Sequence, residues 1–133
     1  MVDSPAFAGL TSGVGLLDLE TIQQFGVSGP AARASGIDLD LRLQTPYLAY
    51  RELAGLIVSP VRRSGDAQSR LGVLAEELVI SASLIIECID RLRVLPGPVA
   101  VKLGKIIRLP EGEGYLAIEA PLGIAGVFLV SRG

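Results

Sequence analysis

A long segment of helical periodicity, Gly65 to Leu92, constrains the fold most. Apolar residues recur there at heptad-like spacing, with Ser81 as the one polar member of the series: Leu71, Leu74, Leu78, Ile85, Cys88 and Leu92. Four further apolar residues widen this stripe: Val73, Ile80, Ile86 and Ile89. This pattern predicts one helix about 40 Å long. LPGP at 95–98 predicts its end, because proline cannot continue a helix. The stripe is wider than a coiled-coil seam, so we expect burial on more than one side, with Cys88 an inert buried thiol.

Shorter elements precede this segment. Asp18 can cap a helix that Gly26 ends, and a second short helix is expected from Pro30 to Gly36. IDLDLR at 37–42 alternates apolar and polar residues, which predicts a half-buried strand that Pro46 ends or places at a sheet edge. LIV at 56–58 is interpreted as another short strand.

The tail is interpreted as β structure. VAVKL at 99–103 leads to GYLAIEA at 114–120, and IAGVFLVS at 124–131 follows a turn that contains Pro121 and Gly123. The last two stretches predict a β-hairpin. The fold class is therefore α+β: one long central helix at about 65–92, short strands, and a β-rich tail at about 99–131 that ends in the hairpin. The chain of 133 residues fits one domain.

Composition excludes several functions for this chain. There is no histidine and only one cysteine, which excludes a Ser–His or Cys–His nucleophile, a zinc site and an iron–sulfur cluster held by the chain alone. A net charge of −2, without a lysine or arginine cluster suited to a nucleic-acid backbone, argues against nucleic acid as a partner. The longest uncharged apolar run, Leu78 to Ile86, is far short of the about 20 residues of a membrane span. The high apolar content predicts surface that a partner covers.

Candidate polar sites have two interpretations each. Asp38 and Asp40 would share one strand face and could divide acid and base roles, but a solvated face that also carries Arg42 is the favoured interpretation. Glu76 and Glu77 lie off the heptad stripe, so we expect them to be solvated or to face another subunit. RRSGDAQSR at 62–70 is either a helix cap with salt bridges or a polar hinge at an interface, and the residues favour neither.

Ordered motifs give the chain a family resemblance. SPAFAGLTSGVGLL, FGVSGPAARASGIDLDLR, PYLAY, GDAQSR and EAPLG occur in the order found in the D subunit of NADH–quinone oxidoreductase, respiratory complex I. The chain resembles the central part of that subunit, which is similar in turn to the large subunit of nickel–iron hydrogenases. The matching residues are Gly29, Pro30, Arg33, Ser35, Gly36, Asp38, Asp40, Arg42, Pro46, Tyr47, Tyr50, Gly65, Asp66, Arg70, Glu119, Pro121 and Gly123.

The resemblance implies a partial, hydrogenase large-subunit-like fold and a role in quinone reduction. Electrons would come from an iron–sulfur cluster in a neighbouring subunit, and the chain itself would bind no cofactor or metal. The implied wall of the quinone or cluster side is formed by Arg33, Asp38, Asp40 and Arg42, while Gly65, Asp66 and Arg70 start the long helix. Expected partners are quinone, the cluster-bearing subunit and membrane subunits. The expected location is peripheral, on the cytoplasmic side of the cell membrane.

Departures from the family keep alternatives open. The family's N-terminal part, with its quinone-facing histidine and tyrosine, is not in this sequence, and neither is its C-terminal helical part. Ala8 and Leu10 stand where the family usually carries arginines, and Ile124 stands where many members have a glutamate. The isolated chain is therefore expected to be inactive. It could also be a truncated, non-catalytic paralogue that serves as an assembly or interaction module, or a subunit of a related membrane-bound oxidoreductase.

Overall fold

The structure is a computed structural model that describes residues 4–98, 100–102 and 104–133. Helices occupy the first two thirds and a hairpin forms the tail. The helices are α1 Pro5–Thr11, α2 Leu19–Gln24, α3 Gly29–Ala34, α4 Leu41–Gln44, α5 Tyr50–Leu53, a 3-10 turn Ala54–Leu56 and α6 Ala67–Val94; the strands are β1 Gly112–Ala120 and β2 Gly123–Ser131. The α+β class with a long helix and a C-terminal hairpin is confirmed. That residues 1–133 form a single partial domain stays a prediction.

Helix α6 begins and ends where the sequence indicates. The side chain of Asp66 caps it by accepting a hydrogen bond from the amide of Ser69 at 2.8 Å, and Leu95 ends it before Pro96. Our expectation of burial on several sides is wrong for this chain by itself. The buried residues of the helix are only Ser69, Gly72, Val73 and Leu84. Most of its apolar stripe is exposed, and Cys88 is half-buried rather than buried.

The packed apolar cluster lies beside the middle of α6. Leu84 of the helix contacts Leu53 and Ile57, and four partly buried side chains surround them: Leu43, Tyr50, Ile80 and Cys88. The segment from α4 to the 3-10 turn therefore lies along one side of α6. This packing positions the polar residues next to the apolar cluster in the chain, such as Arg42 beside Leu43.

Helices α2 and α3 confirm the local signals. The Asp18 carboxylate accepts a hydrogen bond from the amide of Thr21 at 2.7 Å, and Gly26 follows the helix with a positive φ of 62°. Pro30 lies in the first turn of α3, and Gly36 follows that helix at φ 99°. Each helix is therefore delimited by residues suited to its ends.

The strand predicted at 37–42 is wrong. Residues 37–40 belong to no helix or strand, and Asp40 caps α4 by accepting a hydrogen bond from the amide of Arg42 at 3.0 Å. The alternation had a different cause, because Asp40 points inward to an arginine instead of outward to water. The strand predicted at 56–58 is also wrong, since the 3-10 turn ends at Leu56 and residues 57–58 are irregular.

The predicted hairpin is confirmed. Ala120 pairs with Gly123, so Pro121 and Leu122 form the turn and Gly123 begins β2. In VAVKL, residues 100–102 are irregular, while Val99 and Leu103 lie outside the described residues. Regular β structure thus starts at Gly112 rather than near residue 99. The turn lies against α3 so closely that a Cβ on Gly29 would come within 2.5 Å of the Cα of Gly123.

No helix in the described residues is long and apolar enough to span a membrane.

Candidate functional site: a buried ionic cluster

A buried arginine joins three parts of the chain. Arg33, on α3, has 1% of its surface exposed. One terminal nitrogen, Nη2, contacts Glu77 Oε1 of α6 at 2.5 Å. The other, Nη1, contacts Glu119 Oε1 of β1 at 2.8 Å and donates to the carbonyl of Leu39 at 2.8 Å. Arg33 therefore holds the long helix and the hairpin to the same point.

A second ion pair lies next to the first. Arg42 forms a bidentate ion pair with Asp40, with Nε 2.9 Å from Oδ1 and Nη2 2.6 Å from Oδ2. The same Nη2 lies 3.7 Å from Glu77 Oε1, so Glu77 is shared by both arginines. Burial raises the pKa of Asp40, but the hydrogen bonds and the charge of Arg42 outweigh it and leave that pKa below its ordinary value. The hydrogen bond to Asp40 likewise outweighs burial and raises the pKa of Arg42.

Glu119 is fixed through its side chain and its backbone. Its second carboxylate oxygen accepts a hydrogen bond from the amide of Leu41 at 3.2 Å. The Tyr47 hydroxyl accepts from the amide of Glu119 at 3.1 Å and donates to its carbonyl at 3.3 Å. Burial raises the pKa of Tyr47 above its ordinary value. The carboxylate is thus preorganised by three separate segments.

The cluster carries one unbalanced negative charge. Its two guanidinium groups, Arg33 and Arg42, face three carboxylates, Asp40, Glu77 and Glu119, which sum to −1 when all are ionised. In addition, the buried Nε of Arg33 has no hydrogen-bond acceptor among the described residues.

Two adjoining cavities open beside the cluster. One of about 400 Å³ is lined by Arg33, Glu77 and Glu119 with apolar residues of α6. The other, of about 520 Å³, is mainly apolar and is lined by Leu48, Leu53, Leu84, Ile85 and Cys88 among others. Arg42, Tyr50 and Ser81 line both. The cavity that contains the charged side chains therefore adjoins a mainly apolar groove at these three residues.

The predicted site residues divide into two groups. Arg33, Asp40 and Arg42 come together, but Asp38 is exposed and lies outside the cluster. The favoured interpretation of a solvated strand face therefore fails for Asp40, which is 1% exposed. The interpretation of Glu77 as a solvated or subunit-facing residue is wrong, because it lies between two arginines. Glu76 is half exposed and pairs with Arg62.

A signal for Glu77 existed in the sequence. Glu77 precedes Ser81, Leu84 and Cys88 by four, seven and eleven residues, which is the spacing of one helix face. A carboxylate on the face that also carries buried Leu84 requires a buried counter-charge. A strict heptad pattern, with a period of 3.5 residues, leaves Glu77 off the apolar stripe. An α-helix repeats every 3.6 residues, which places Glu77 on the same face as Leu84.

The helix-start residues form a separate, structural site. The carbonyl of Gly65 accepts from Arg70 Nη1 at 2.9 Å, and Asp66 accepts from the amides of Ser69 and Gly13 at 2.8 and 2.9 Å. A Cβ on Gly65 would collide with the carbonyl oxygen of Leu17, and its φ of 66° also favours glycine. These contacts support the helix-cap interpretation of this segment and tie the N-terminal loop to α6.

Comparisons with known proteins agree with this architecture. A solved chain with the same fold, from the structure of the membrane-bound sulfane sulfur reductase, an archaeal respiratory membrane complex, has a TM-score of 0.86 and 32% sequence identity; the match covers 98% of this chain and 36% of that one. The fold is thus that of a complex I-like subunit.

Sequence relatives define the family more narrowly. The family model described as "Respiratory-chain NADH dehydrogenase, 49 Kd subunit" matches residues 1–107. In Salinispora arenicola, the NADH-quinone oxidoreductase D subunit numbered 2 is 47% identical over 96% of this chain and 32% of its own length. In Streptomyces coelicolor, the D subunit numbered 1 is also 47% identical, over 96% of this chain and 33% of its own length. The chain belongs to this family of 49 kDa, or D-type, subunits, and it spans about a third of the length of these curated relatives.

Proposed function

We propose that this chain is a component of an NADH–quinone oxidoreductase of the complex I type. In that role it helps to form the quinone-reduction site, which receives electrons from an iron–sulfur cluster in a neighbouring subunit. The observation that carries the proposal is the buried cluster of Arg33, Asp40, Arg42, Glu77 and Glu119 beside a cavity. Three of these residues are the ones that the family resemblance assigns to the site wall.

The chemistry of the cluster suits quinone reduction. Reduction of a quinone to a quinol consumes two electrons and two protons. The electrons must come from another chain, because a sequence with one cysteine and no histidine cannot ligate a cluster. The carboxylates of Glu77 and Glu119 line the cavity and include the negative charge that the two arginines do not balance.

The remaining surface suits an assembled subunit. We place the chain at the periphery of the membrane, on its cytoplasmic side, against the cluster-bearing and membrane subunits. Exposed Asp38 would belong to the wall only if a neighbouring subunit closes over it. Gly65, Asp66 and Arg70 would act indirectly by fixing the start of α6. The isolated chain would be inactive, because the partners supply the electrons and the rest of the site.

Adjacent glutamates provide a matched test. Glu77→Gln removes a cluster charge, whereas Glu76→Gln removes the charge of an exposed ion pair one residue away. In membranes of the native host, we expect both tagged variants to purify with the same partner subunits. Glu77→Gln should lower NADH-driven quinone reduction about tenfold, equal to about 1.4 kcal/mol in the barrier. NADH oxidation should stay unchanged when it is measured with a soluble acceptor that takes electrons before they reach the quinone site.

The outcomes separate the proposal from its alternatives. Equal quinone reduction by both variants in an assembled complex would reject a role for the cluster and favour a non-catalytic assembly module. Purification without any cluster-bearing subunit would reject the proposed complex. A related membrane-bound oxidoreductase with another substrate is the second candidate, favoured by the match to a chain of the sulfane sulfur reductase complex. Activity with a sulfane sulfur compound in place of quinone would establish it.

A further inference from the structure

We propose that the basic apolar segment, residues 91–109 from the last turn of α6 toward β1, docks on the surface of an anionic lipid bilayer. This inference rests on the peripheral location in the proposed function and deepens it by naming the segment that docks and the lipid chemistry it fits; vesicle binding tests it separately from quinone reduction. It concerns a part of the chain distant from the ionic cluster, and it rests on charge, exposure and composition.

The segment has a charge unlike that of the whole chain. It contains five of the 12 basic residues, including both lysines, and none of the 14 acidic ones, although the net charge of the chain is −2. Arg91 and Arg93 pair with Glu87 and Asp90 in the last turns of α6. Lys102, Lys105 and Arg108 are exposed and form no ion pair within the described residues. Three uncompensated cations therefore lie within seven residues.

Exposed aliphatic side chains alternate with these cations. Val101 is 79% exposed and Ile106 is 77% exposed, and the segment exposes further large apolar residues: Val94, Leu95, Ile107 and Leu109. The hydroxyl of Ser131 donates to the carbonyl of Leu109 at 3.2 Å, which brings exposed Arg132 to the same surface. Exposed cations and exposed aliphatic side chains thus follow one another along this segment.

This combination fits a lipid surface better than an acidic protein. Protein interfaces are enriched in aromatic residues and depleted in lysine, whereas this segment holds both lysines and no aromatic residue. A bilayer interface accepts lysine and arginine at the level of the anionic headgroups and aliphatic side chains just beneath them, without shape complementarity. The segment would thus bind the membrane surface without spanning it.

The proposal orients the molecule. The C-terminal end of α6 would face the bilayer, and the start of the helix, with Asp66, would point away. Glu77 precedes Val94 by about 25 Å along the helix axis, at 1.5 Å per residue. The ionic cluster would therefore lie above the headgroups, outside the hydrocarbon.

Vesicle binding provides the first test. The full chain should sediment with phosphatidylcholine vesicles that contain a quarter phosphatidylglycerol, and bind phosphatidylcholine alone much more weakly. Each cation contributes roughly fivefold to such binding, so Lys102→Gln/Lys105→Gln should weaken it on the order of 25-fold at low salt. The control Arg62→Gln/Arg63→Gln changes the charge equally at the opposite end of α6 and should bind as the unmodified chain does. Equal binding to both vesicle types, or equal loss in both variants, would overturn the proposal.

A fluorescent reporter provides the second test. The chain has no tryptophan, so one can be introduced at a chosen position. Emission of Ile106→Trp should shift to the blue when anionic vesicles are added, while Leu10→Trp on α1 should not respond. A shift at both positions, or at neither, would contradict docking through this segment. Cross-linking of Lys102 or Lys105 to an acidic protein in native membranes, without vesicle binding, would assign the surface to that protein and reject the lipid.

Discussion

Arg33 shows how single residues determine this structure. Burying a permanent charge is costly unless it is paired and hydrogen-bonded, and removing one partner of such a pair typically costs about 3–5 kcal/mol. Arg33 compensates its burial with two carboxylates and the carbonyl of Leu39. Its side chain is thus an obligatory junction between helix, loop and strand.

Asp66 gives a pH-dependent prediction. Hydrogen bonds from the amides of Gly13 and Ser69 lower the pKa of its carboxyl below the ordinary 3.8. A carboxyl with a lowered folded-state pKa stabilises the fold above its unfolded pKa, and this contribution is lost as the pH falls through the folded pKa. Asp66→Asn keeps a good helix cap but loses the charge. We expect the variant to be less stable by roughly 0.3–1 kcal/mol at neutral pH, the typical worth of a negative charge at a helix N-terminus.

Urea unfolding at a series of pH values measures this effect. The gap in unfolding free energy between the unmodified chain and Asp66→Asn should be widest above about pH 5 and close as the pH falls below 3.8. Parallel stability curves at all pH values would show that the charge of Asp66 does not stabilise the fold.

At the scale of elements, the tie between β1 and the loop before α5 gives a second prediction. Tyr47→Phe deletes both hydrogen bonds to the backbone of Glu119, while its ring can still pack edge-on against Tyr50 at 5.0 Å. The expected loss is about 1–2 kcal/mol, since a part-buried amide loses its acceptor. The amide of Glu119 should also exchange faster with deuterium.

Tyr115→Phe is the control. Tyr115 is exposed on the same strand, and its hydroxyl forms no hydrogen bond within the described residues. Its removal should leave stability and the exchange of Glu119 unchanged. If both variants behave alike, the Tyr47 contact does not hold the strand.

Elements with local signals could be predicted from the sequence. The long period and the Gly-Asp start predict α6, and the turn residues predict the hairpin. The alternation in IDLDLR led to a wrong prediction of a strand with Asp40 on its solvated face. The pattern does not show that Asp40 is buried, because its burial depends on the ion pair with Arg42. The full cluster could not be predicted, because Arg33, Glu77 and Glu119 are brought together by the fold across separations of 44 and 86 residues.

The whole molecule exposes more apolar surface than a free subunit normally does. Helix α6 has 28 residues, of which four are buried, so most of its apolar side chains require a covering surface. We predict reversible self-association of the isolated chain. Val79 and Ile86 lie one heptad apart and are both well exposed. Val79→Gln/Ile86→Gln should weaken association at least tenfold, since each apolar side chain buried in a contact contributes about 1.5 kcal/mol or more.

Sedimentation velocity over a concentration series tests this. Leu10→Gln/Leu16→Gln makes the same change at exposed apolar positions outside α6 and should associate as the unmodified chain does. A chain that stays monomeric at high concentration would contradict the prediction, and so would equal weakening by both variants.

The sequence separations within the ionic cluster have a consequence for synthesis. A ribosome makes Arg33 first, Glu77 later and Glu119 later still, and at about 5–20 residues per second the last interval takes roughly 2–8 s. Before Glu119 is added, the cluster residues already synthesised are two arginines and two carboxylates, Asp40 and Glu77, which is a balanced set. The hairpin then adds the third carboxylate. The unbalanced charge therefore appears only when translation reaches the tail.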